Sequence, residues 1–300
     1  MLRRLLAHLM AGRARSGTTP MTDLQVEEGR QAVIARYGPW TAHNIRLRDG
    51  LYTIGPSVAG DEYKLRRVVQ AVADASIKPL GSLRVMDLAC LEGMYALEFA
   101  RHGGDVVAIE GREANLAKAR FARDALGLDN VELLRDDVRN FSRASHGEFD
   151  VVLCLGILYH LDAPDVFRFL ERIAEACTRL AVVDTHVSLD TGVQTSHRGR
   201  IYRGRIHVEH PGGASAEEKE QRLWASLDNE RSFFPTRVSL LAALTGAGFT
   251  SIYECHVPFE PAKANDRVTL LAIKGRRVEL ESAPLLAPVE WGPPQEDATE

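Results

Sequence analysis

Val85-Met86-Asp87-Leu88-Ala89-Cys90-Leu91-Glu92-Gly93-Met94-Tyr95 is the stretch that decides the fold. An apolar run ends in an acid, Asp87, and passes through a short loop of small residues. Behind Gly93 it re-emerges as the helix-like run Ala96-Leu97-Glu98-Phe99-Ala100. Buried parallel strands read as short apolar runs, and the turn after the first strand of an open α/β sheet is where such folds bind nucleotides. A second apolar run, Asp105-Val106-Val107-Ala108-Ile109, ends at Glu110. An acid at the end of the second strand is placed to accept hydrogen bonds from ribose hydroxyls.

Outward from this unit the chain alternates apolar runs with amphipathic ones. The pattern predicts strands over 84–88, 106–110, 131–134, 149–153 and 180–185, and helices over 94–102, 113–126 and 164–177. A helix over 236–245 is ended by Gly246-Ala247-Gly248, and strands over 251–257 and 267–274 read as a closing antiparallel pair. The fold class is therefore α/β, a Rossmann-like, seven-stranded, doubly wound sheet with a terminal antiparallel hairpin. Residues 22–82 break the alternation, with helices over 27–37 and 64–75 around a turn at Asp49-Gly50, and read as an N-terminal lid on the domain at 83–275. Residues 189–236 are polar and read as an inserted, solvated cap. Residues 1–21 read as a disordered or amphipathic extension, and 276–300, with Pro284, Pro288, Pro293 and Pro294, as a disordered tail.

Composition bounds the function. A formal net charge of -4 over 300 residues gives no global basic field for nucleic acid. No apolar run reaches the roughly 18–20 residues that span a bilayer. Cys90, Cys154, Cys177 and Cys255 form no CxxC pair, which points to reduced thiols in a cytoplasmic protein rather than to disulfides or a metal.

The order of elements and motifs resembles the class I S-adenosylmethionine-dependent methyltransferases. Asp87 to Gly93 resembles their first motif, with Ala89 and Leu91 where glycines are common. Ala89 suits a negative φ there, and Leu91 is expected to point away from the ligand. Glu110 resembles the ribose-binding acid, and Arg135-Asp136-Asp137-Val138-Arg139-Asn140-Phe141 the adenine-contacting motif, with Asp137 the adenine partner. Phe149 to Leu161 resembles the fourth strand and the active-site loop. Leu155-Gly156-Ile157-Leu158-Tyr159-His160, with Asn229-Glu230-Arg231-Ser232-Phe233-Phe234-Pro235-Thr236, is more closely similar to the branch of tRNA wobble-uridine (mo5U/cmo5U) methyltransferase-like proteins. The resemblance covers residues 80–260. It implies S-adenosyl-L-methionine as cofactor, held by Asp87, Ala89, Cys90, Gly93, Glu110, Gly111, Asp136, Asp137, Val138 and Leu155. The GxGxxG fingerprint of dinucleotide folds is absent, which tells against a pyrophosphate ligand.

Methyl transfer to a hydroxyl needs a positioned acceptor and often a base. His160 is the candidate base, since imidazole titrates near neutrality, and Tyr159 is its catalytic neighbour. A structural alternative has His160 bonded to a backbone carbonyl and Tyr159 packed over the cofactor. Trp40, His43, Arg203, Trp224, Asn229, Arg231 and Phe233 are the expected substrate-contacting set. His186, His197, His207 and His210 lack helical metal-ligand spacing, so no metal is expected. Arg198, Arg200, Arg203 and Arg205 alternate, and a row of them on one strand face would suit phosphate, carboxylate or an RNA backbone. The expected function is transfer of a methyl group to a hydroxyl, or an amine, of a small-molecule or sugar-like metabolite. The alternatives are a tRNA wobble-uridine methyl- or carboxymethyltransferase, with nucleic acid as partner, and a non-catalytic cofactor-binding protein. The antiparallel edge and the N-terminal segment suggest a homodimer.

Overall fold

The computed structural model describes residues 20–278 and 280–282, so most of the expected N-terminal extension and C-terminal tail lies outside the described residues. The chain begins with helix α1 (Asp23–Tyr37), a hairpin of β1 (Arg46–Arg48) and β2 (Leu51–Tyr52), and helix α2 (Glu62–Ala75). α1 starts earlier than the expected 27 because Thr22 and Gln25 close a reciprocal capping box that satisfies two free N–H groups. The turn at Asp49-Gly50 forms as expected, with Gly50 in the left-handed region.

Strand and helix then alternate through β3 (Arg84–Leu88), α3 (Met94–Arg101), β4 (Asp105–Glu110), α4 (Glu113–Leu126) and β5 (Val131–Arg135). The single-turn α5 (Arg143–His146), β6 (Phe149–Leu155), α6 (Asp165–Ala176) and the long β7 (Cys177–His186) complete the alternating part. After an inserted region come α8 (Arg237–Ala247), β11 (Ser251–Glu254) and β12 (Arg267–Ile273). The seven-stranded sheet runs β11-β12-β7-β6-β3-β4-β5, with β12 antiparallel to both of its neighbours and the remaining pairs parallel. Alternation along β3 sorts the two cores. Val85 faces α3 and α4, while Met86 and Leu88 face α6 and α8. Among the described residues no helix is long and apolar enough to cross a membrane.

The inserted region differs from the expected solvated cap. It holds a second, three-stranded antiparallel sheet in the order β10-β9-β8, formed by β8 (Val193–His197), β9 (Arg200–Val208) and β10 (Arg231–Pro235), with the short helix α7 (Ala216–Gln221) between β9 and β10. One face is apolar and sealed to the domain. Phe167 of α6 stacks on Tyr202 at a centroid distance of 4.3 Å and meets Phe233 at 5.9 Å. Phe233 is fully buried, so it belongs to the core and not to a substrate pocket. The arginines form no row. Arg198 sits in the hairpin turn at φ 50° and pairs with Glu171, while Arg203 and Arg205 have the opposite parity to Arg200 and so lie on the other face of β9.

One buried ion pair ties the N-terminal segment to the sheet. Glu92, in the loop after β3, and Lys118, on α4, are both fully buried and lie 3.2 Å apart. Glu92 also accepts from Thr41 N at 2.7 Å, Ala42 N at 3.2 Å and His43 N at 3.0 Å. Lys118 Nζ donates to Pro39 O at 2.7 Å. Gly93, next to Glu92, holds φ 88°, and a Cβ there would meet Ala119 Cβ at 2.9 Å, so only glycine lets α3 start this close to α4. Removing one partner of a buried pair leaves an uncompensated charge, so Lys118→Met is expected to destabilise the fold by about 3 kcal/mol in a denaturant titration. A loss within measurement error would show that the pair does not anchor the segment.

Candidate active site

The C-terminal ends of β3, β4 and β6 converge on a cavity of about 160 Å³. It is lined by Asp87, Ala89, Cys90, Glu110, Gly111, Asp136, Val138, Leu155, Tyr159 and His160, all anticipated from the sequence, and by His43 and Trp224 of the substrate set. The carboxyl edge of an open parallel sheet is where such folds receive ligands. A larger cavity of about 730 Å³ lies between the β1–β2 hairpin, α2 and α3, but no strand end of the large sheet opens into it.

The loop after β3 takes the opposite backbone conformation to the one expected. Ala89 and Leu91 both have positive φ, 58° and 50°, and Leu91 lines the cavity rather than avoiding it. A non-glycine residue in that region costs about 1–2 kcal/mol. Three hydrogen bonds offset the cost: Cys90 N to Ile109 O at 2.9 Å, Leu91 N to Glu110 Oε2 at 3.0 Å, and Gly93 N to Cys90 O at 2.8 Å. Gly93 itself does not line the cavity; its role is the close contact with α4.

Glu110 is nearly buried and also accepts from Arg112 N at 2.9 Å and from Asn115 Nδ2 at 3.3 Å. Burial pushes its carboxyl above the ordinary range, and these donors only partly oppose that. Asp87 is buried at the end of β3, and burial raises its carboxyl to about 7, with the Ala96 N–H opposing and the Glu110 charge assisting. Of the two neighbouring acids after β5, the one expected at the adenine is not the one at the cavity. Asp137 turns away to bind Arg139, with Nε at 2.9 Å, and to accept from Arg139 N, while Asp136 lines the cavity. The nearby guanidinium makes Asp137 an internal ion-pair partner, which a bare acid-acid dipeptide does not reveal.

At the opposite wall, His160 Nδ1 lies 3.0 and 3.1 Å from the two oxygens of Glu209. A carboxylate only accepts, so Nδ1 carries the proton and Nε2 is the ring nitrogen left for a ligand. Glu209 is held on its far side by Ser226 N at 2.8 Å and Ser232 Oγ at 2.7 Å. Burial raises the Glu209 carboxyl, but the hydrogen bonds from His160, Ser232 and Ser226 outweigh it and hold it below its usual range. Asn229 braces the loop by donating from Nδ2 to His160 O at 3.0 Å. The Tyr159 ring lies 4.4 Å from that of His160, and burial pushes its phenol up. Arg267 of β12 also lines the cavity, its Nε 2.7 Å from the buried Asp184.

The N-terminal segment supplies the third wall. His43 Nδ1 accepts from Met94 N at 3.2 Å, and burial lowers its imidazole to about 4, so it is neutral. Asp61 pairs with Lys64 at 2.6 Å; burial raises its carboxyl, and the ammonium more than reverses that. Glu209, Ser226, Arg267, Asp61 and Lys64 escaped sequence reasoning. Ser226, Arg267, Asp61 and Lys64 reach the cavity from distant parts of the chain, and Glu209 stands behind His160, 49 residues away in sequence.

The rest of the expected substrate set lies elsewhere. Trp40 packs against Phe121 at 6.0 Å on the outer side of α4, and Arg231 faces solvent beside Asp162. Arg203 is fixed through its backbone N to Ser239 Oγ, and neither it nor Asn229 lines the cavity. The four histidines scatter: His186 meets Asp266, His197 meets Glu171, His210 meets Ser226 O, and His207 packs by Phe234.

Asp87 sets a pH dependence. An aspartate raised from 3.8 to about 7 binds its proton more tightly in the folded state, so it favours folding below pH 3.8 and that contribution is lost as pH rises towards 7. Chemical denaturation between pH 4 and 7 is expected to show stability falling with pH, with a shallower fall in Asp87→Asn. Identical slopes for the two proteins would contradict the assignment.

Comparison with known proteins bears on the domain and its fold. Residues 85–179 match the family described as a methyltransferase domain. A ubiquinone biosynthesis O-methyltransferase from Acinetobacter baumannii is 30% identical over 112 residues, covering 37% of this chain and 45% of that protein. Another from Hahella chejuensis is 33% identical over 98 residues, covering 33% and 38%. The match thus spans less than half the length of these curated relatives. The N-terminal domain of EvdMO1, crystallised with S-adenosylhomocysteine bound, superposes with a TM-score of 0.66 at 24% identity, over 87% of this chain and 100% of that one. Residues 85–179 thus match a methyltransferase-domain model, and the chain shares the Rossmann-like fold of the EvdMO1 N-terminal domain.

Proposed function

We propose that this protein is an S-adenosylmethionine-dependent methyltransferase that methylates a hydroxyl of a small molecule. The observation that carries the proposal is the His160–Glu209 pair facing the acid-lined cavity at the strand ends. The chemistry of the cavity fits the donor. Glu110 carries three internal donors and has acceptor capacity left for a ribose hydroxyl. Asp136 suits an adenine amine. Asp87, with the Asp61–Lys64 pair across the cavity, offers both signs of charge to an amino-acid group. Bound there, S-adenosylmethionine supplies an electrophilic methyl group on a sulfonium sulfur.

The chain's own part is positioning and proton transfer. His160 Nε2 accepts the hydroxyl proton of the acceptor as its oxygen becomes nucleophilic. Glu209 fixes the tautomer through Nδ1–H and stabilises the imidazolium that forms, and Ser226 and Ser232 keep that carboxylate ionised. Tyr159 and the cap segment at Trp224 wall one side of the cavity. The curated relatives, both named O-methyltransferases, support oxygen as the accepting atom. The arginine row that would have suited an RNA backbone does not form, which weakens the RNA alternative.

The test uses methyl-labelled S-adenosylmethionine with a panel of phenols, sugars and primary amines, read by mass spectrometry. Label is expected on oxygen. His160→Ala is expected to lose about 10²–10⁴-fold in turnover while S-adenosylhomocysteine still raises its melting temperature. Undiminished turnover in His160→Ala removes it as base, and labelling of amines alone overturns the acceptor class.

A further inference from the structure

Arg112 takes no part in the chemistry just described, yet its side chain is built with unusual care. It is 4% exposed, and its guanidinium donates to backbone carbonyls. Nη2 reaches Lys219 O, Arg222 O and Ser226 O, each at 3.0 Å, and Nε reaches Glu220 O at 3.4 Å. Two of these carbonyls belong to the last turn of α7, where Lys219 O also accepts from Arg222 N at 3.2 Å, and a cation at a helix C-terminus is favourable. The planar fork spans several acceptors at once, which a single ammonium cannot do. The neighbouring contact is equally close. A Cβ on Gly111 would meet Leu227 Cδ1 at 2.6 Å, so the segment after α7 lies directly on the β4–α4 turn.

Ser226 is where this clasp meets the base. Its carbonyl accepts from Arg112 and its N–H donates to Glu209 at 2.8 Å, while its hydroxyl donates to Asn229 O at 2.6 Å. At the other end, the backbone N–H of Arg112 donates to Glu110. A continuous set of hydrogen bonds therefore runs from the expected ribose acid through Arg112 and Ser226 to Glu209 and His160. We infer that Arg112 is a positioning residue: by clasping residues 219–226 it seats the Ser226 amide on Glu209, so that closing the cap over the adenosyl end and orienting the base are a single event. The functional half of this inference rests on the site reading given under Proposed function; the clasp itself does not.

The experiment compares the full-length wild type with Arg112→Lys, which keeps the charge and loses the fork, and Arg112→Met, which loses both. Two readouts need no acceptor: hydrogen exchange of the peptide holding Ser226, and the low-field Nδ1–H proton resonance of His160. In both variants the Ser226 amide is expected to exchange about tenfold faster or more, while peptides from β3, β4 and β6 keep wild-type rates. The His160 resonance, present in the wild type, is expected to broaden or vanish in both. Saturating S-adenosylhomocysteine is expected to slow exchange over residues 219–228 in the wild type and to have a smaller effect in Arg112→Lys. Unchanged Ser226 exchange or an unchanged His160 resonance in Arg112→Lys overturns the inference. Faster exchange spread over the whole sheet also overturns it, since Arg112 would then be a general stabiliser. A wild type that fails to bind S-adenosylhomocysteine overturns the site reading instead, and the exchange comparison still decides whether Arg112 seats Ser226.

Discussion

The buried pair of Glu92 and Lys118 is the constraint on which the site depends. An isolated charge in a protein interior is prohibitive, so each group must find its partner and satisfy its remaining valences. Glu92 does so with the backbone of Thr41, Ala42 and His43, and Lys118 with Pro39. The N-terminal segment is thus bonded to the turn after the first sheet strand, not merely laid on the surface. His43 is carried into the cavity by that bonding, and its neutral imidazole caps the Met94 N–H at the start of α3.

A second acid completes the turn. Glu110 draws Leu91 N across the end of β4, while Glu92 draws the opposite side of the loop towards α4. Held between two carboxylates, the loop sustains left-handed backbone at Ala89 and Leu91 without glycine. The thinned glycine content is therefore compatible with an ordered ligand-binding turn. Across the cavity the same arrangement recurs with Glu209, a buried carboxylate that orients His160 and is itself oriented by Ser226 and Ser232. Three carboxylates from different parts of the chain each fix a loop by accepting from its backbone N–H groups.

The sheet was legible in the sequence because its signal is local. Apolar runs such as 84–88 and 106–110 are buried on both faces, and α4 runs from Glu113 to Leu126 as its pattern requires, ended by Gly127 in the left-handed region. Asp87 and Glu110 could be picked out because they sit at the ends of two such runs, and Tyr159 and His160 because they follow a third, at 149–155. The inserted region misled because β9 carries arginines on both faces and buries one large side chain, Tyr202, so its residues look as polar as those of a loop. Asp137 was preferred over Asp136 in the sequence because the ion pair that draws it to Arg139 forms only in the folded turn. Glu209 and Glu92 were invisible for a plainer reason. An acid among polar residues carries no periodic mark, and only the folded chain brings it to its histidine or its lysine.

The central claim is that the cavity at the strand ends is a methyl-donor site facing the His160–Glu209 base. A crystal structure with S-adenosylhomocysteine tests it most directly. Ribose hydroxyls are expected on Glu110, the adenine edge at Asp136, the homocysteine end beside Asp87, and the sulfur facing His160 Nε2 with the Glu209 contact intact. Ligand bound elsewhere, or a His160 ring turned so that Nε2 points away from the sulfur, would contradict it.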